Sequence, residues 1–378
     1  MAEAVLGSIA GEIVANLVPR ALEDVRNLWD VKHEPEVLRD TLLLCKLGEL
    51  NGLDNIRGSL SIENLGHVIE VAEFKAANLI GKHSLESLEL QWGCLDTDDA
   101  VIGDKDEALV DGLRPPSNLQ SLTIDGYKDH SSTLTTPFSS LLRLWIGYCE
   151  NLKLMPLATH LEELTLSKVN PKLINQIFGL NKLKSLYILE MEFLECLREE
   201  CLQSLTSLEF LGNYHCPRLA CLSLSMQYLS NLAHLSFQYR EKLDLSKDKS
   251  DNILDLQGLE SLLSMDILDV PKLASLPQWL LQVRNLEWLS IKKCLNLKAL
   301  PEQIETLQSL QPLEIIRCPS LTSLPKAMRR LTMLIHLKIA GCPDLEERCK
   351  KEAVEDWYKI AHIPHITHKL EYYYEHYL

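Results

Sequence analysis

The chain is poor in features that would place it in a membrane, on nucleic acid or among secreted proteins. Aromatic residues make up only 6% of its 378 residues, and the formal net charge is −15. No stretch approaches 18 uninterrupted apolar residues, so the sequence predicts no integral membrane segment. The acidic balance argues against nucleic acid or an anionic membrane as the main partner, because either would require a basic stripe.

Motifs of catalysis and cofactor binding are also missing from the sequence. It contains no Gly-x-x-x-x-Gly-Lys-Ser/Thr loop, Gly-x-Ser-x-Gly elbow, His-Glu-x-x-His pair or Cys-x-x-Cys spacing. We therefore predict a protein that is not an enzyme and has no cofactor of its own. Residues 1–17 do not read as a signal peptide, and no Asn-x-Ser/Thr acceptor occurs. These absences predict a cytoplasmic location.

What the sequence does contain is a repeat. Leu262, Leu286, Leu310 and Leu334 lie 24 residues apart, and each opens a Leu-x-x-Leu/Met-x-Ile core followed by Cys or Val, another Leu and, in three of them, Leu-Pro. A period of 24 falls within the range of leucine-rich repeats, which stack as a solenoid. Solenoids present one broad face and usually work by binding.

Looser copies of the same unit extend upstream. Their cores begin at Leu85, Leu119, Leu141, Leu161, Leu183, Leu208 and Leu232, and a degenerate copy covers residues 60–65. The alternation within each core indicates a short strand, and Leu-Pro marks the exit toward the convex side. The predicted fold is α/β: a leucine-rich repeat horseshoe with a parallel concave sheet over residues 45–345, followed by a cap and tail at 346–378.

Five of the 11 cysteines occupy one fixed slot of the repeat. We call them the repeat cysteines: Cys149, Cys216, Cys294, Cys318 and Cys342. A fixed slot in a stacked array is buried, and free Cys serves there as a small apolar side chain. We expect core thiols rather than a disulfide framework.

The first 44 residues follow a helical pattern. Leu6, Ile9, Ile13 and Leu17 share one helical face, and further apolar runs follow Pro19. Such a stripe is compatible with a coiled coil, a bundle helix or a membrane-surface helix. The acidity of the segment disfavours the last, so we predict a short α-helical segment that packs in a helical bundle.

This combination resembles the plant intracellular immune receptors that join a coiled coil, a nucleotide-binding switch and leucine-rich repeats. Residues 1–6 and 28–32 are similar to the start of that family's coiled coil. The repeats, with their Cys-Pro-x-Leu-x-x-Leu-Pro pattern, are similar to the repeats of that family. Residues 342–364, with Glu-Asp-Trp-Tyr-Lys-Ile-Ala-His-Ile-Pro at their end, resemble its closing signature. The resemblance implies a role in plant defence, with binding of a pathogen effector, a guarded host protein or full-length relatives.

The chain departs from this family between the coiled coil and the repeats. Several hundred residues of nucleotide switch are expected there, yet residues 42–45 run almost directly into 47–53, which resemble first repeats. Full-length relatives bind ADP or ATP, whereas this chain has no phosphate-binding loop. We therefore expect a truncated form in which a short α-helical coiled-coil remnant, residues 1–44, precedes the repeats. Such a form would bind a partner without its own nucleotide switch.

The sheet's exposed face is the predicted partner-binding site, because residues flanking the second Leu of each core point away from the core. The candidates are Arg143, Trp145, Tyr187, Phe210, Tyr214, His234, Gln238, Asp266, Trp288, Lys292, Glu314, His336 and Lys338. Exposed aromatics beside charges are typical of interface anchors. Alternatively, some of these rings stack on one another to support the sheet. Pro312 occupies such a slot and would remove a ladder donor.

Other interpretations remain open from sequence alone. The histidines His362, His365 and His368 could form a metal site, but Pro364 interrupts any helix there, and a polar cap on the last repeat is the expected role. Two other classes of function fit a repeat array. One is the substrate adaptor of a ubiquitin ligase, and the other is a general protein-interaction scaffold.

Overall fold

The computed structural model describes residues 47–52, 56–67, 71–93, 115–127, 138–156, 158–219, 228–239, 259–351 and 355–368. Their strands form one 13-stranded parallel sheet in which the strand order follows the chain order. The strands are β1 Gly58–Ile62, β2 Leu85–Gln91, β3 Ser121–Asp125, β4 Arg143–Gly147, β5 Glu163–Ser167, β6 Ser185–Leu189, β7 Phe210–Tyr214, β8 His234–Gln238, β9 Ser264–Leu268, β10 Trp288–Lys292, β11 Pro312–Ile316, β12 His336–Ala340 and β13 His365–Thr367. The predicted helical segment 1–44 lies outside the described residues.

The strands stack in matching register, so that equivalent repeat positions are neighbours. Leu289 and Ile291 of β10 pair with Leu313 and Ile315 of β11, and none of the four is exposed. Burial of one such side chain contributes about 1.5–3 kcal/mol, and every repeat obtains it from both of its neighbours. The twelve strand cores predicted from the Leu pattern are confirmed as β1–β12. The strand β13 was not predicted, because it lacks that pattern.

Pro312 weakens the ladder at one point, as predicted. The first residues of β10 and β12, Trp288 and His336, donate backbone N–H groups to the preceding strand layer. Proline has no N–H, and the β10–β11 pairing begins only at Leu289 and Leu313. Local pairing is therefore lost on one side of Pro312.

Short helices lie in several of the segments that connect the strands. The α-helices are α1 Val71–Ala76, α2 Glu199–Ser204, α3 Pro343–Arg348 and α4 Trp357–Ile360. The 3₁₀ helices are Leu47–Gly52, Leu65–His67, Leu79–Gly81, Pro171–Ile177, Leu280–Gln282, Glu302–Thr306 and Lys326–Arg330. Pro301 and Pro325 directly precede two of them, which confirms that Leu-Pro marks the exit from the strand layer. No helix among these described residues has the length and apolarity needed to span a bilayer.

The repeat cysteines are all fully buried and free of disulfides, as expected. Their thiols lie against backbone carbonyls at the ends of the strands. The Cys149 Sγ, for example, donates to the Gly147 carbonyl at 3.0 Å. Burial raises the pKa of the Cys149 thiol to about 12.

Asparagine side chains outside the strands also link successive repeats. The Asn231 Nδ2 donates to the Thr206 carbonyl, and the Asn296 Nδ2 donates to the Pro271 carbonyl, each at 2.7 Å. Both acceptors belong to the preceding repeat. These amides satisfy carbonyls that the strand ladder does not reach.

A buried ion pair attaches the tail to the repeats. The Asp356 carboxylate accepts the Leu324 backbone N–H at 2.9 Å and the Lys359 ammonium at 2.6 Å. Lys359 also donates to the Leu324 carbonyl at 2.6 Å, and Arg348 lies 3.3 Å from Asp356. Burial alone would raise the pKa of Asp356, but these hydrogen bonds outweigh burial and lower it. The Glu-Asp-Trp-Tyr-Lys-Ile motif thus fastens the tail at the turn that precedes the Lys326–Arg330 helix.

Candidate functional site

One face of the sheet carries three parallel rows of side chains, which we call the open face. The rows come from the first, third and fifth positions of the five-residue strands, while the second and fourth positions point into the core. All thirteen predicted binding residues lie on this face. Arg143, Phe210, His234, Trp288 and His336 stand in the first row, Trp145, Tyr187, Asp266, Glu314 and Lys338 in the second, and Tyr214, Gln238 and Lys292 in the third.

Three of the predicted anchors are not solvent-facing, which corrects the expectation of exposure. Tyr187, Phe210 and Tyr214 are only 3%, 5% and 8% exposed. The Tyr187 and Phe210 rings stack with centroids 4.7 Å apart. Phe210 and Tyr214 also converge over Gly212, where an added Cβ would lie 2.8 and 2.7 Å from their rings. The absence of a side chain at Gly212 lets the rings fold onto the sheet. The alternative of mutual stacking is correct for Tyr187 and Phe210, and Tyr214 is buried over Gly212 beside Phe210.

Arg143 and Trp145 of β4 remain accessible. Arg143 is exposed, and Trp145 is half-buried. The Trp145 indole lies across Gly147, where a Cβ would come within 1.9 Å of the ring. The glycine therefore holds the indole flat against the strand, with its other face outward. A rigid aromatic surface beside a cation is a favourable arrangement for an interface.

A charged cluster occupies the open face on β9–β11. The Lys292 ammonium lies 2.9 Å from the Glu314 carboxylate, and the Asp266 carboxylate accepts from Gln238 at 3.3 Å. Burial raises the pKa of Asp266, an effect that Lys292 only partly offsets. Burial would lower the pKa of Lys292, but Asp266 and Glu314 together raise it. The Asp266 Oδ1 is buried and has no hydrogen-bond partner among the described residues.

Comparison with known proteins identifies the repeats. A family model described as R13L1/DRL21 leucine-rich repeats matches residues 47–171. The putative disease resistance protein RGA1 of Solanum bulbocastanum is 30% identical over 272 residues, which are 67% of this chain and 25% of that protein. The disease resistance protein RGA2 of the same species is 35% identical over 83 residues, 22% of this chain and 8% of its own length. The chain therefore contains leucine-rich repeats, and these repeats are similar to those of plant disease resistance proteins.

The chain spans about a quarter of the length of RGA1 and a smaller share of RGA2. Two solved structures are also similar to this chain, at low sequence identity. An internalin of Listeria monocytogenes is 17% identical, with a TM-score of 0.35, and covers 70% of this chain and 83% of its own. A chain of the mouse RP105/MD-1 complex is 19% identical, with a TM-score of 0.46. That match covers 74% of this chain and 51% of the mouse chain.

The three tail histidines each contact a different partner. The His362 Nε2 lies 3.2 Å from the Leu331 carbonyl oxygen, and the His368 Nδ1 lies 3.2 Å from the Ile339 carbonyl oxygen. His365 stacks on His336 of β12, with centroids 4.8 Å apart, and burial together with this neighbour lowers the pKa of His336. Within the described ranges no three His, Cys, Asp or Glu side chains are grouped to hold a metal ion. The three histidines cap the last repeat.

Sequence reasoning missed a fourth row of side chains, at the residue that follows each strand. In β4–β11 this residue has a left-handed backbone, with φ between 48° and 55°. We call this set the rim row: Tyr148, Lys168, Glu190, His215, Tyr239, Asp269, Lys293 and Arg317. Its N–H groups extend the ladder, as from Tyr148 to the Ser167 carbonyl at 2.9 Å. Only its position just before the Cys slot could have revealed the row.

Proposed function

We propose that the chain is a recognition module of the plant disease resistance type, and that its open face binds a protein partner. The partner would be a pathogen effector or a guarded host protein. The match to resistance-type repeats supports the defence role. The observation that carries partner binding is the continuous parallel sheet, which lines up accessible polar and aromatic side chains over thirteen strands.

Arg143, Trp145 and the charged cluster on β9–β11 are the proposed contacts. Arg143 is exposed and adjoins a flat indole, so it offers both charge and apolar area. The buried rings of Tyr187, Phe210 and Tyr214 support the face instead of contacting the partner. In this proposal the module binds without a nucleotide, since the chain contains no phosphate-binding loop.

A charge reversal with a matched control tests the proposal. Tagged full chains carrying Arg143→Glu or Arg284→Glu are expressed in leaves, with and without pathogen challenge, and purified for quantitative mass spectrometry. Both arginines are exposed, but Arg284 lies in the return segment ahead of β10. We expect a partner that is recovered with the wild type and with Arg284→Glu, and is reduced at least tenfold with Arg143→Glu.

The proposal fails if every protein recovered with the wild type is also recovered with Arg143→Glu and with a second open-face variant, Trp288→Ala. Circular dichroism of each variant verifies that the fold is retained. Stoichiometric retention of labelled ATP by the purified chain would contradict the absence of a nucleotide switch.

A further inference from the structure

The rim row is unusual because it carries large side chains where glycine would be the least strained choice. Gly126 and Gly341 occupy this position after β3 and β12, with φ of 74° and 70°. The eight repeats between them place other residues there, although a side chain at positive φ strains the backbone. The row therefore projects a line of side chains along the edge at which the strands end.

Exposed aromatics concentrate on this edge between β4 and β8. Tyr148 is 45% exposed, and Phe193, three residues beyond Glu190 of the rim row, is 64% exposed. His215 stacks on Tyr239, with centroids 4.3 Å apart. Tyr187, Phe210 and Tyr214 of the neighbouring open face are buried, whereas this edge offers apolar rings to solvent.

A shallow depression lies beside these rings. It encloses about 290 Å³ and is lined by Glu190, Glu192, Phe193, His215, Pro217 and Arg218. The Arg218 guanidinium lies 5.1 Å from the centroid of the Phe193 ring. One face of that ring is thus occupied, while most of the side chain remains open to a ligand.

The charge at the depression is negative. Its lining holds two carboxylates and one guanidinium. Glu190 is 3.4 Å from the Tyr148 hydroxyl, a weak contact, and the exposed Glu192 carboxylate makes no hydrogen bond or ion pair with any described residue. A lysine or arginine of a partner would find two accepting groups here and an aromatic ring alongside.

The spacing of the edge fits an extended polypeptide. Neighbouring strands lie about 4.8 Å apart, so side chains on alternate strands are about 9.6 Å apart. A polyproline II helix advances about 9.3 Å for every three residues. Tyr148, Phe193 and Tyr239 follow β4, β6 and β8, which are alternate strands. Aromatic-lined grooves bind proline-rich segments because those segments are ordered before they bind.

We propose that this edge is a second docking surface, separate from the open face, for an extended proline-containing protein segment that carries a basic residue. The prolines lie between the rings that follow alternate strands. The basic side chain enters the depression and pairs with Glu190 and Glu192. A segment of about six residues covers the distance from β4 to β8.

Fluorescence anisotropy with labelled peptides tests this surface on the intact chain. The probe is a peptide of about 12 residues with proline at every third position and one central arginine. Two matched peptides replace the arginine with glutamate or the prolines with glycine. We expect micromolar binding of the probe, at least tenfold weaker binding of the glutamate peptide, and several-fold weaker binding of the glycine peptide.

Two phenylalanines provide a matched pair of variants. Phe193 and Phe178 are 64% and 65% exposed, but only Phe193 lines the depression. Phe193→Ala should weaken binding of the probe at least tenfold, and Phe178→Ala less than twofold. Glu192→Gln should weaken it about fivefold and reduce its dependence on salt.

The proposal is wrong if the probe does not bind, if the glutamate peptide binds equally well, or if Phe178→Ala weakens binding as much as Phe193→Ala does. The open-face variant Arg143→Glu should leave binding of the probe unchanged. Loss of probe binding in that variant would assign the peptide to the open face and remove the case for a second surface.

Discussion

Asn213 should be a position where an apolar residue stabilises the protein. It occupies the fourth position of β7, a core position at which its register neighbours are Ile188 and Phe237. Asn213 is 1% exposed, and neither its Oδ1 nor its Nδ2 has a hydrogen-bond partner among the described residues. The amide has therefore lost its water without gaining a replacement.

The size of the effect follows from two contributions. An unsatisfied buried polar group costs about 1–3 kcal/mol. Burial of a leucine contributes about 1.5–3 kcal/mol, from which about 1–3 kcal/mol of packing strain is subtracted, because leucine is bulkier than asparagine. We expect Asn213→Leu to raise the free energy of unfolding by about 1–3 kcal/mol.

Urea unfolding followed by far-ultraviolet circular dichroism measures this change. With a slope of about 3 kcal/mol per molar urea, a gain of about 1.5 kcal/mol moves the midpoint up by about 0.5 M. The matched control is Asn296→Leu. Asn296 is exposed and donates to the Pro271 carbonyl at 2.7 Å, so the same substitution there should lower stability by about 1 kcal/mol.

An unchanged or lower midpoint for Asn213→Leu would refute the reasoning. It would mean that the Asn213 amide has a hydrogen-bonding partner in solution, or that the core around β7 cannot accept a leucine. A rise in the midpoint for both variants would also count against it, since hydrophobicity alone would then explain the effect.

Two further predictions concern the repeat cysteines and the tail. At pH 8, iodoacetamide should modify the exposed Cys196 and leave Cys149 unmodified. The Cys149 pKa of about 12 leaves roughly a thousandfold less thiolate than an ordinary cysteine has. Peptide mapping that finds the two modification rates within tenfold of each other would contradict this prediction. Asp356→Asn should cost about 3 kcal/mol at pH 7, because Lys359 loses its buried partner. The pKa of Asp356 is lowered by folding, so its contribution is present above the unfolded pKa and disappears as the pH falls through the folded value. The urea midpoints of wild type and variant should therefore approach each other as the pH falls below about 4, the pKa of an unfolded aspartate. A difference that stays constant as the pH is lowered would rule out the ion pair as the cause.

Most of the strand layer could be predicted from the sequence. The Leu-x-Leu alternation and the 24-residue step located β1–β12, and the fixed cysteine slot indicated burial, because both depend on positions that every repeat shares. The rim row, β13 and the Asp356 ion pair were missed. The rim row has no common residue type, and the other two depend on contacts between the tail and repeats some 30 residues away.

The sequence predicted on which face of the sheet the candidate residues lie, but not how exposed their side chains are. Strand alternation assigned all thirteen candidates to the open face, and the structure agrees. Exposure depends instead on neighbours one repeat away. Tyr187 is buried because Phe210 follows it at the same face of the next strand and Gly212 leaves room for the ring.

The sequence by itself determined the repeat, the direction in which each strand side chain points, and the buried cysteine slot, since these follow from local periodicity. Only the tertiary structure decided which aromatics remain open to a partner. It also decided which polar groups are satisfied and where a depression forms beside the rim row. Those properties arise when side chains from different repeats compete for the same space and the same hydrogen bonds, and no single repeat contains that information.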